Sequence, residues 1–323
     1  MKKEIYKIVP QMKDYDNIEG YWYPFIMRFH RKNVSLPSVT TDDYGFRNTI
    51  LKNKSKFYLS NYLNHFEGKL GVMIGSSTCF GVGASSDKFT ISSILSQNTN
   101  FSWFNLGGRA FNSTQEWILF SLYLPKKIDV IIIFSGINNL ILSYLTQTSP
   151  FINSIFSNFQ YDYLMNTVSK GIKNTIKYKL FCNKKINNID KNKKYNNILH
   201  CFQRDMDMWN HFRCSFNCKL YFVFQPIATW IEKDLTSEEE KIFDILDNMQ
   251  EPTWKIIYKH ILEDKDKYLN DIKNICNKFN IPFLDINSKN SFCKNEWLFV
   301  DRVHLTDNGY QLVQEEIQKE FKL

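Results

Sequence analysis

The chain has 323 residues, 43% of them hydrophobic and 16% aromatic, which suffices for one large or two smaller domains with a real core and argues against disorder. Its net charge of +8 is concentrated, because nine lysines and one aspartate between Lys170 and Lys194 carry all of it. The rest of the chain is neutral, so a basic surface for nucleic-acid binding is not expected.

The amino terminus has no apolar segment of the kind found in secretory signals, and no stretch is long and apolar enough to span a bilayer. Of the seven cysteines, only Cys214 and Cys218 lie close together, without a second pair to complete a zinc site. We therefore expect a cytoplasmic protein with free thiols and no bound metal.

Residues 1–67 show no clean hydrophobic period and contain several aromatic side chains. We expect this segment to be an amino-terminal arm that packs on a main domain spanning residues 68–323. Within it, the stretch from Thr41 to Arg47 (TDDYGFR) predicts a turn with an aromatic anchor.

The main domain opens with the apolar run 70–74, which predicts a buried strand; Gly75-Ser76-Ser77-Thr78 follows, and a helical period starts at Asp87. This order places Ser77 where a strand ends and a helix begins. Its hydroxyl can be exposed there while nearby backbone N–H groups are free to bind an anion. A plain turn is the alternative, because Gly and Ser favour turns for local reasons.

Strands and helices alternate along the rest of the domain. Residues 113–124 predict a helix in which Ser113 and Glu116 have the spacing of a capping box. The other predicted strands cover residues 101–106, 129–134, 219–224 and 281–286, and the other helices residues 195–216, 237–248, 254–278 and 306–321. This alternation predicts an α/β fold with a doubly wound parallel sheet of about five strands.

Residues 147–217 interrupt the alternation and are predicted to form an insertion, either a lid over a site or ordinary covering helices. The lysine-rich run from Lys170 to Lys194 lies inside it. We interpret the run first as a solvated surface, and alternatively as a weak contact with anionic lipid headgroups or an acidic glycan.

Polar residues or glycine follow three predicted strands, at Ser77, Gly107 and Asn138, and Asp301 and His304 precede the last helix. The carboxyl ends of parallel strands meet at one edge of a sheet, where sites form. A serine nucleophile needs a base to take its proton, and the base needs a carboxylate to fix its tautomer, which His304 and Asp301 can supply. The backbone N–H groups of Ser77 and Gly107 and the amide of Asn138 can form an oxyanion hole.

Each of these residues also has a structural explanation. An Asp-x-x-His sequence is common by chance, Asn138 can cap a helix, and Gly107 can serve a turn. Their joint occurrence at successive strand ends is what favours a catalytic site. The Gly-x-Ser-x-Gly elbow of α/β-hydrolases is excluded, because Cys79 stands two residues after Ser77.

The same segments resemble the sequence blocks of the SGNH (GDSL-like) hydrolase superfamily. They are Gly75-Ser76-Ser77-Thr78, Asn105-Leu106-Gly107, Gly136-Ile137-Asn138-Asn139 and Asp301-Arg302-Val303-His304. The sequence departs from the family at Ser76 and Asn139, where an aspartate is usual, and neither is a triad position.

The resemblance implies a three-layer α/β/α fold with a flavodoxin-like sheet and no metal or organic cofactor. It implies that Ser77 is the nucleophile, that Asp301 and His304 are its acid and base, and that Ser77, Gly107 and Asn138 are the oxyanion donors. The arm is also similar to the arm that precedes such domains in bacterial surface-polysaccharide gene clusters.

The expected function is that of a serine esterase that deacylates, and in particular deacetylates, an O-acylated carbohydrate or small ester. A carbohydrate O-acyltransferase with the same triad and a catalytically silent glycan-binding module are the alternatives. Arg109 and Arg302 stand beside predicted catalytic residues, and each fits either an acidic sugar or a structural salt bridge.

Overall fold

The computed structural model of the protein describes residues 2–64, 68–145, 191–249 and 252–323. Most of the lysine-rich run and most of the predicted insertion lie outside the described residues, so the lid and the lipid or glycan contact stay predictions. Within the described ranges, no helix combines the length and the apolar character needed to cross a membrane.

The amino-terminal arm is built from short elements. They are α1 (Lys2–Ile8), α2 (Met12–Asn17), the antiparallel hairpin β1 (Gly20–Tyr23) and β2 (Met27–His30), the antiparallel pair β3 (Thr49–Ile50) and β4 (Lys56–Phe57), and α3 (Leu59–Leu63). The predicted turn follows β2 and is confirmed: Asp42 Oδ1 accepts from the backbone N–H groups of Tyr44 and Phe46, both at 2.9 Å. Phe46 is buried and anchors the turn.

The rest of the described chain alternates strands and helices. In order these are β5 (Lys69–Gly75), α4 (Ser77–Phe80), α5 (Ile91–Asn98), β6 (Phe101–Gly107), α6 (Ser113–Leu122), β7 (Val130–Ser135), α7 (Ile137–Leu145), α8 (Lys191–Phe216), β8 (Lys219–Phe224), α9 (Ser237–Met249), α10 (Pro252–Glu263), α11 (Lys265–Lys278), β9 (Phe283–Asp285) and α12 (Asp307–Phe321). One sheet contains β6-β5-β7-β8-β9 in that order, with every pair parallel. Counted within this sheet the order is 2-1-3-4-5, the flavodoxin-like arrangement, as predicted.

The sheet is buried on both faces because its central strands are apolar at successive positions. Along β5, Val72 and Ile74 point into one core and Met73 into the other. The first core is closed by α3, α6, α7, α8, α10 and α11, and the second by α1, α5, α9 and α12. These three layers confirm the predicted α/β/α fold.

Three element boundaries differ from the prediction. The capping box of α6 lies one residue earlier than predicted. Asn112 Oδ1 accepts from the N–H of Gln115 at 2.9 Å, and Gln115 Oε1 accepts from the N–H of Asn112 at 3.3 Å. The predicted helix 254–278 is divided at Asp264, whose carboxylate accepts a hydrogen bond from the Tyr144 hydroxyl of α7. The last strand starts only after Pro282, which has no N–H for a ladder.

Candidate active site

The end of β5 and the start of α4 form the turn that carries Ser77, the predicted nucleophile; after that prediction, the turn is named the nucleophile turn and α4 the nucleophile helix. At Gly75 a Cβ atom would lie 1.9 Å from the Phe134 carbonyl oxygen, so only glycine allows the two strands to approach this closely. Ser76 lies at the N-cap position, without a side-chain capping hydrogen bond, and is buried, whereas Ser77, the first helical residue, is partly exposed. The turn therefore holds the Ser77 hydroxyl at the carboxyl edge of the sheet.

The structure brings Ser77, His304 and Asp301 into one chain of hydrogen bonds. His304 Nε2 lies 2.7 Å from Ser77 Oγ, and His304 Nδ1 lies 2.6 Å from Asp301 Oδ2. A carboxylate can only accept, so Nδ1 carries the ring proton and Nε2 accepts from the serine hydroxyl. This is the geometry that a base-activated serine requires.

Asp301 is held in its ionised form. Its Oδ1 atom accepts from the backbone N–H groups of Val303 at 2.9 Å and His304 at 2.8 Å. Burial favours the neutral acid, but the His304 imidazole and these two N–H groups outweigh it, and the pKa of Asp301 is lowered. The aspartate thus orients the imidazole and stabilises its charged form.

Two of the three predicted oxyanion donors, Ser77 and Asn138, keep an N–H hydrogen with no acceptor among the described residues. The Ser77 N–H, which opens its helix, has no acceptor among the described residues, as expected for a first-turn N–H. Asn138 Nδ2 donates one hydrogen to the Phe111 carbonyl at 2.7 Å and keeps a second.

The prediction for Gly107 is not supported. Its N–H donates to Asn105 Oδ1 at 2.9 Å, and the next N–H, of Gly108, donates to the Gly75 carbonyl at 2.9 Å. Glycine is required at Gly107 for a different reason, because a Cβ atom there would lie 2.2 Å from the backbone nitrogen of Phe80 in α4. Gly107 therefore lets β6 pack against the nucleophile helix and does not point its N–H at a ligand.

The loop after β6 contains another candidate donor that sequence reasoning missed. Ala110 has a positive φ of 60°, unusual for a residue with a Cβ, and its N–H has no acceptor among the described residues. It lies between Gly108, bonded to Gly75, and Phe111, bonded to Asn138. The sequence held no signal for it, because alanine does not predict a left-handed conformation.

The two positions that depart from the family pattern have structural partners. Ser76 Oγ donates to Gln225 Oε1 at 3.2 Å. Asn139 Oδ1 accepts from the Ser113 N–H at 3.0 Å, and Asn139 Nδ2 donates to Ser113 Oγ at 2.8 Å. Asn139 thereby joins α7 to the start of α6 and fixes the backbone beside Asn138.

The nucleophile turn is braced by the arm. The Arg47 side chain is fully buried, and its Nε lies 2.6 Å from Asp87 Oδ1. Arg47 Nη1 donates to the Tyr15 hydroxyl at 2.9 Å, and that oxygen lies 2.8 Å from the Gly81 carbonyl. Gly81 ends the nucleophile helix, so this network ties the arm to the Ser77 segment.

The loop carrying Asp301 and His304 is braced by a second buried ion pair. Lys233 Nζ and Glu239 Oε2 are 2.5 Å apart, with side chains 1% and 0% exposed. Glu239 Oε1 accepts from the N–H groups of Leu298 at 3.0 Å and Phe299 at 3.2 Å. We did not predict this role, although Thr236-Ser-Glu-Glu239 has the spacing of a capping box and could have drawn attention to Glu239.

The two arginines beside the predicted catalytic residues have different surroundings. Arg302 pairs with Asp247, Nη2 to Oδ2 at 2.5 Å, so it has the structural role that the sequence left open. Arg109 Nη1 donates to the Ile18 carbonyl at 3.3 Å and pairs with no carboxylate among the described residues. Within those residues, no group of three or more His, Cys, Asp and Glu side chains is placed to hold a metal ion.

No family model matches the chain, and no curated protein is similar to it. Among solved structures, it is similar to an acetyl xylan esterase at 12% identity and a TM-score of 0.42, over 78% of this chain and 98% of that one. It is similar to a member of the lipolytic protein G-D-S-L family from Veillonella parvula at 11% identity and a TM-score of 0.40, over 79% and 98%. An extracellular lipase from Streptomyces rimosus matches at 11% identity and a TM-score of 0.41, over 78% and 99%. At these low identities and TM-scores, the matches do not bear on the function of the chain.

Proposed function

We propose that the protein is a serine esterase of the SGNH type that removes an acyl group, in particular an acetyl group, from an O-acylated carbohydrate or small ester. The observation that carries the proposal is the hydrogen-bonded chain from Ser77 Oγ through His304 to Asp301, at 2.7 Å and 2.6 Å. The carbohydrate part of the proposal comes from the sequence resemblance.

In the first half of the reaction, Ser77 Oγ attacks the acyl carbon while His304 Nε2 takes the hydroxyl proton. The tetrahedral intermediate then collapses, its bond to the alcohol oxygen breaks, and His304 gives that oxygen the proton. The products are the free alcohol and an acyl-serine. Asp301 keeps Nδ1 protonated and stabilises the imidazolium that forms between the two proton transfers.

In the second half, His304 takes a proton from a water molecule, whose oxygen attacks the acyl-serine carbonyl. Collapse of the second intermediate breaks the bond to Ser77 Oγ, which recovers its proton from His304 and releases the carboxylic acid. Transfer to a sugar hydroxyl would use the same acyl-serine, with the hydroxyl in place of water.

The negative charge on the carbonyl oxygen needs donors aimed at it. We assign this role to the Ser77 N–H, the second hydrogen of Asn138 Nδ2 and the Ala110 N–H in place of that of Gly107. The support is that each of these three donors keeps a hydrogen with no acceptor among the described residues. The Gly107 N–H, in contrast, donates to Asn105 Oδ1. Each such donor typically contributes about 10²–10³ in rate.

The test is the hydrolysis of 4-nitrophenyl acetate by the wild type and by Ser77→Ala. Loss of a triad serine typically lowers turnover by about 10⁴–10⁶. Ser121→Ala, which removes an exposed hydroxyl from α6, is the control and should hydrolyse the ester at the wild-type rate. Activity that survives in Ser77→Ala would show that another residue is the nucleophile.

A fluorophosphonate probe separates the alternatives if neither protein hydrolyses the ester. Labelling of Ser77 in the folded wild type would show a reactive serine and would favour acyl transfer to an acceptor other than water. Absence of labelling in the folded protein would contradict the proposal and favour a silent glycan-binding module.

A further inference from the structure

A buried carboxylate on α8 connects that helix with the start of α6. Asp205 belongs to the part of the predicted insertion that the structure describes, and it is 1% exposed. Its Oδ2 atom accepts hydrogen bonds from the Ser113 hydroxyl at 2.7 Å and from the Thr114 hydroxyl at 2.8 Å. Those two residues open α6, where the helix dipole favours a negative charge. The bonds join segments that are more than 90 residues apart in sequence.

The second carboxylate oxygen of Asp205 is used as well. Oδ1 accepts from Arg204 Nε at 3.0 Å and from Arg204 Nη2 at 2.7 Å. The same Nη2 atom donates to the Thr114 hydroxyl at 2.8 Å, which closes a ring of hydrogen bonds. Asparagine at this position would have a single oxygen, so it could not accept both from the hydroxyls and from the guanidinium. The site therefore requires a carboxylate.

This carboxylate decides which way the Ser113 hydroxyl points. A carboxylate can only accept, so the single hydroxyl hydrogen of Ser113 goes to Asp205. The Ser113 oxygen is left as an acceptor, and Asn139 Nδ2 donates to it at 2.8 Å. The Asn139 amide is thereby turned so that its Oδ1 atom accepts from the Ser113 N–H at 3.0 Å. Asp205 thus sets the orientation of the Asn139 side chain.

The orientation of Asn139 bears on Asn138, its neighbour in the first turn of α7. Asn139 attaches this turn to Ser113, and Asn138 Nδ2 attaches it to the Phe111 carbonyl at 2.7 Å. Both attachments end on the same short segment, residues 111–113. A shift of that segment therefore moves the Asn138 amide, whose second hydrogen we assign to the oxyanion.

Helix α6 also holds the strand end that precedes Asn138. Ser135, the last residue of β7, donates to Glu116 Oε1 of α6 at 2.5 Å. The charge of Asp205 reaches this carboxyl too and helps to raise the pKa of Glu116. Helix α6 thus supports both ends of the segment 135–139, and Asp205 fixes α6 against α8.

We propose that Asp205 is a positioning residue for the esterase reaction, a role that rests on the proposed function. Through Ser113 and Asn139 it holds the Asn138 amide where the oxyanion forms, while itself touching neither the substrate nor the reacting atoms. A donor misplaced by about 1 Å can lower the rate about 10²-fold. Because the oxyanion exists only during reaction, the loss falls on kcat and leaves KM nearly unchanged.

The first test measures kcat and KM for 4-nitrophenyl acetate in the wild type, Asp205→Asn, Ser113→Ala and Asp207→Asn. Asp207 is the matched control, because it lies two residues further along α8 with its side chain 50% exposed. We expect kcat to fall about tenfold to a hundredfold in Asp205→Asn and to keep its wild-type value in Asp207→Asn. Ser113→Ala removes the link but keeps Asp205, so it should also lower kcat, and it serves if Asp205→Asn fails to fold.

A second test separates positioning from a merely structural role by adding Asn138→Ala. If Asp205 acts through Asn138, Asp205→Asn should change kcat by less than about twofold once the Asn138 amide is gone. The same loss of kcat with and without Asn138 would overturn the proposal. Wild-type kcat in both Asp205→Asn and Ser113→Ala would overturn it as well.

The placement of the Asn138 amide is measured without catalysis. In protein made with isotope-labelled asparagine, the side-chain amide resonances of Asn138 are identified by their absence from Asn138→Ala. We expect them to shift in Asp205→Asn and Ser113→Ala, and to stay in place in Asp207→Asn. If they shift but the wild type hydrolyses no ester, only the proposed function is contradicted. If they stay in place in an active esterase, only the role of Asp205 is contradicted.

Discussion

Two buried ion pairs brace the two segments that carry the candidate triad, and they are built differently. Arg47 and Asp87, with side chains 0% and 9% exposed, support the segment that carries Ser77. Lys233 and Glu239, 1% and 0% exposed, support the loop that carries Asp301 and His304. The first pair reaches its segment through the Gly81 carbonyl, 3.4 Å from Arg47 Nη1, and the second through the Leu298 and Phe299 N–H groups, which donate to Glu239 Oε1.

The pairs differ in how far apart their members lie along the chain. Lys233 and Glu239 are six residues apart; Glu239 lies in the first turn of α9, and Lys233 in the segment just before it. Arg47 and Asp87 are 40 residues apart and join the arm to the sheet domain. The acid–base loop is therefore supported from within the domain, whereas the nucleophile segment depends on the docked arm, which makes the arm part of the site's architecture.

The largest effect is expected from breaking the arm-borne pair. Arg47→Met keeps an unbranched apolar chain but leaves the Asp87 carboxylate buried without its cation. Removal of one member of a buried pair typically costs about 3–5 kcal/mol of unfolding free energy, to be measured by urea denaturation. Arg31→Met removes an arginine whose pair with Glu19 is exposed, and should cost at most about 1 kcal/mol. Equal losses in the two variants would mean that the Arg47 network does not hold the arm.

A somewhat smaller effect is expected at the local pair. Glu239→Gln keeps an acceptor for the Leu298 and Phe299 N–H groups but leaves the Lys233 ammonium without a carboxylate, at a cost of about 3 kcal/mol. The turnover of the folded protein should fall as well, because the acid–base loop is held less firmly. Glu240→Gln, at an exposed position on the same helix, is the control and should change neither property. Adding Lys233→Met to Glu239→Gln should restore part of the stability; no recovery would argue that charge pairing is not the cause.

The effect that is smallest per pH unit concerns a buried carboxyl that has no such cation. Burial raises the pKa of Glu116 from its ordinary 4.5 to about 8, with Asp205 adding to the shift and a hydrogen bond from Ser135 at 2.5 Å opposing it. Between those two pH values the unfolded chain has lost this proton and the folded protein keeps it. Stability from Glu116 is therefore complete below about pH 4.5 and is lost as pH rises toward 8, at up to about 1.4 kcal/mol per pH unit.

Glu116→Gln should flatten this dependence. Thermal or urea unfolding of both proteins at several pH values between 5 and 8 would show the difference in slope. Parallel curves for the two proteins would mean that Glu116 ionises normally in the fold.

The fold class, and the segments that carry Ser77, Asp301 and His304, were predictable because their signals are local. Apolar runs identified the strands, Gly75 to Thr78 has turn chemistry, and Asp301 and His304 are three residues apart. Strand order in a parallel sheet then brings such segments to one edge. The catalytic role of Ser77, Asp301 and His304 stays a prediction until the serine is tested.

The errors arose where a side-chain hydrogen bond chose between two locally acceptable arrangements. Asn112 and Ser113 are both good helix caps, and the cap falls on Asn112 because Asn139 engages the Ser113 N–H. At Gly107 the sequence did not show that the Asn105 side chain, two residues earlier, would accept the backbone N–H.

The sequence by itself determined which segments are strands and helices, and which side chains can act as nucleophile, base and acid, since these follow from periodicity and from side-chain chemistry. Only the tertiary structure decided that Ser77 and His304, 227 residues apart, come within 2.7 Å of each other. It also decided which backbone N–H groups keep a hydrogen to donate and which buried charges brace the site. The contact between Ser77 and His304 depends on packing between segments far apart in sequence, and no local pattern encodes it.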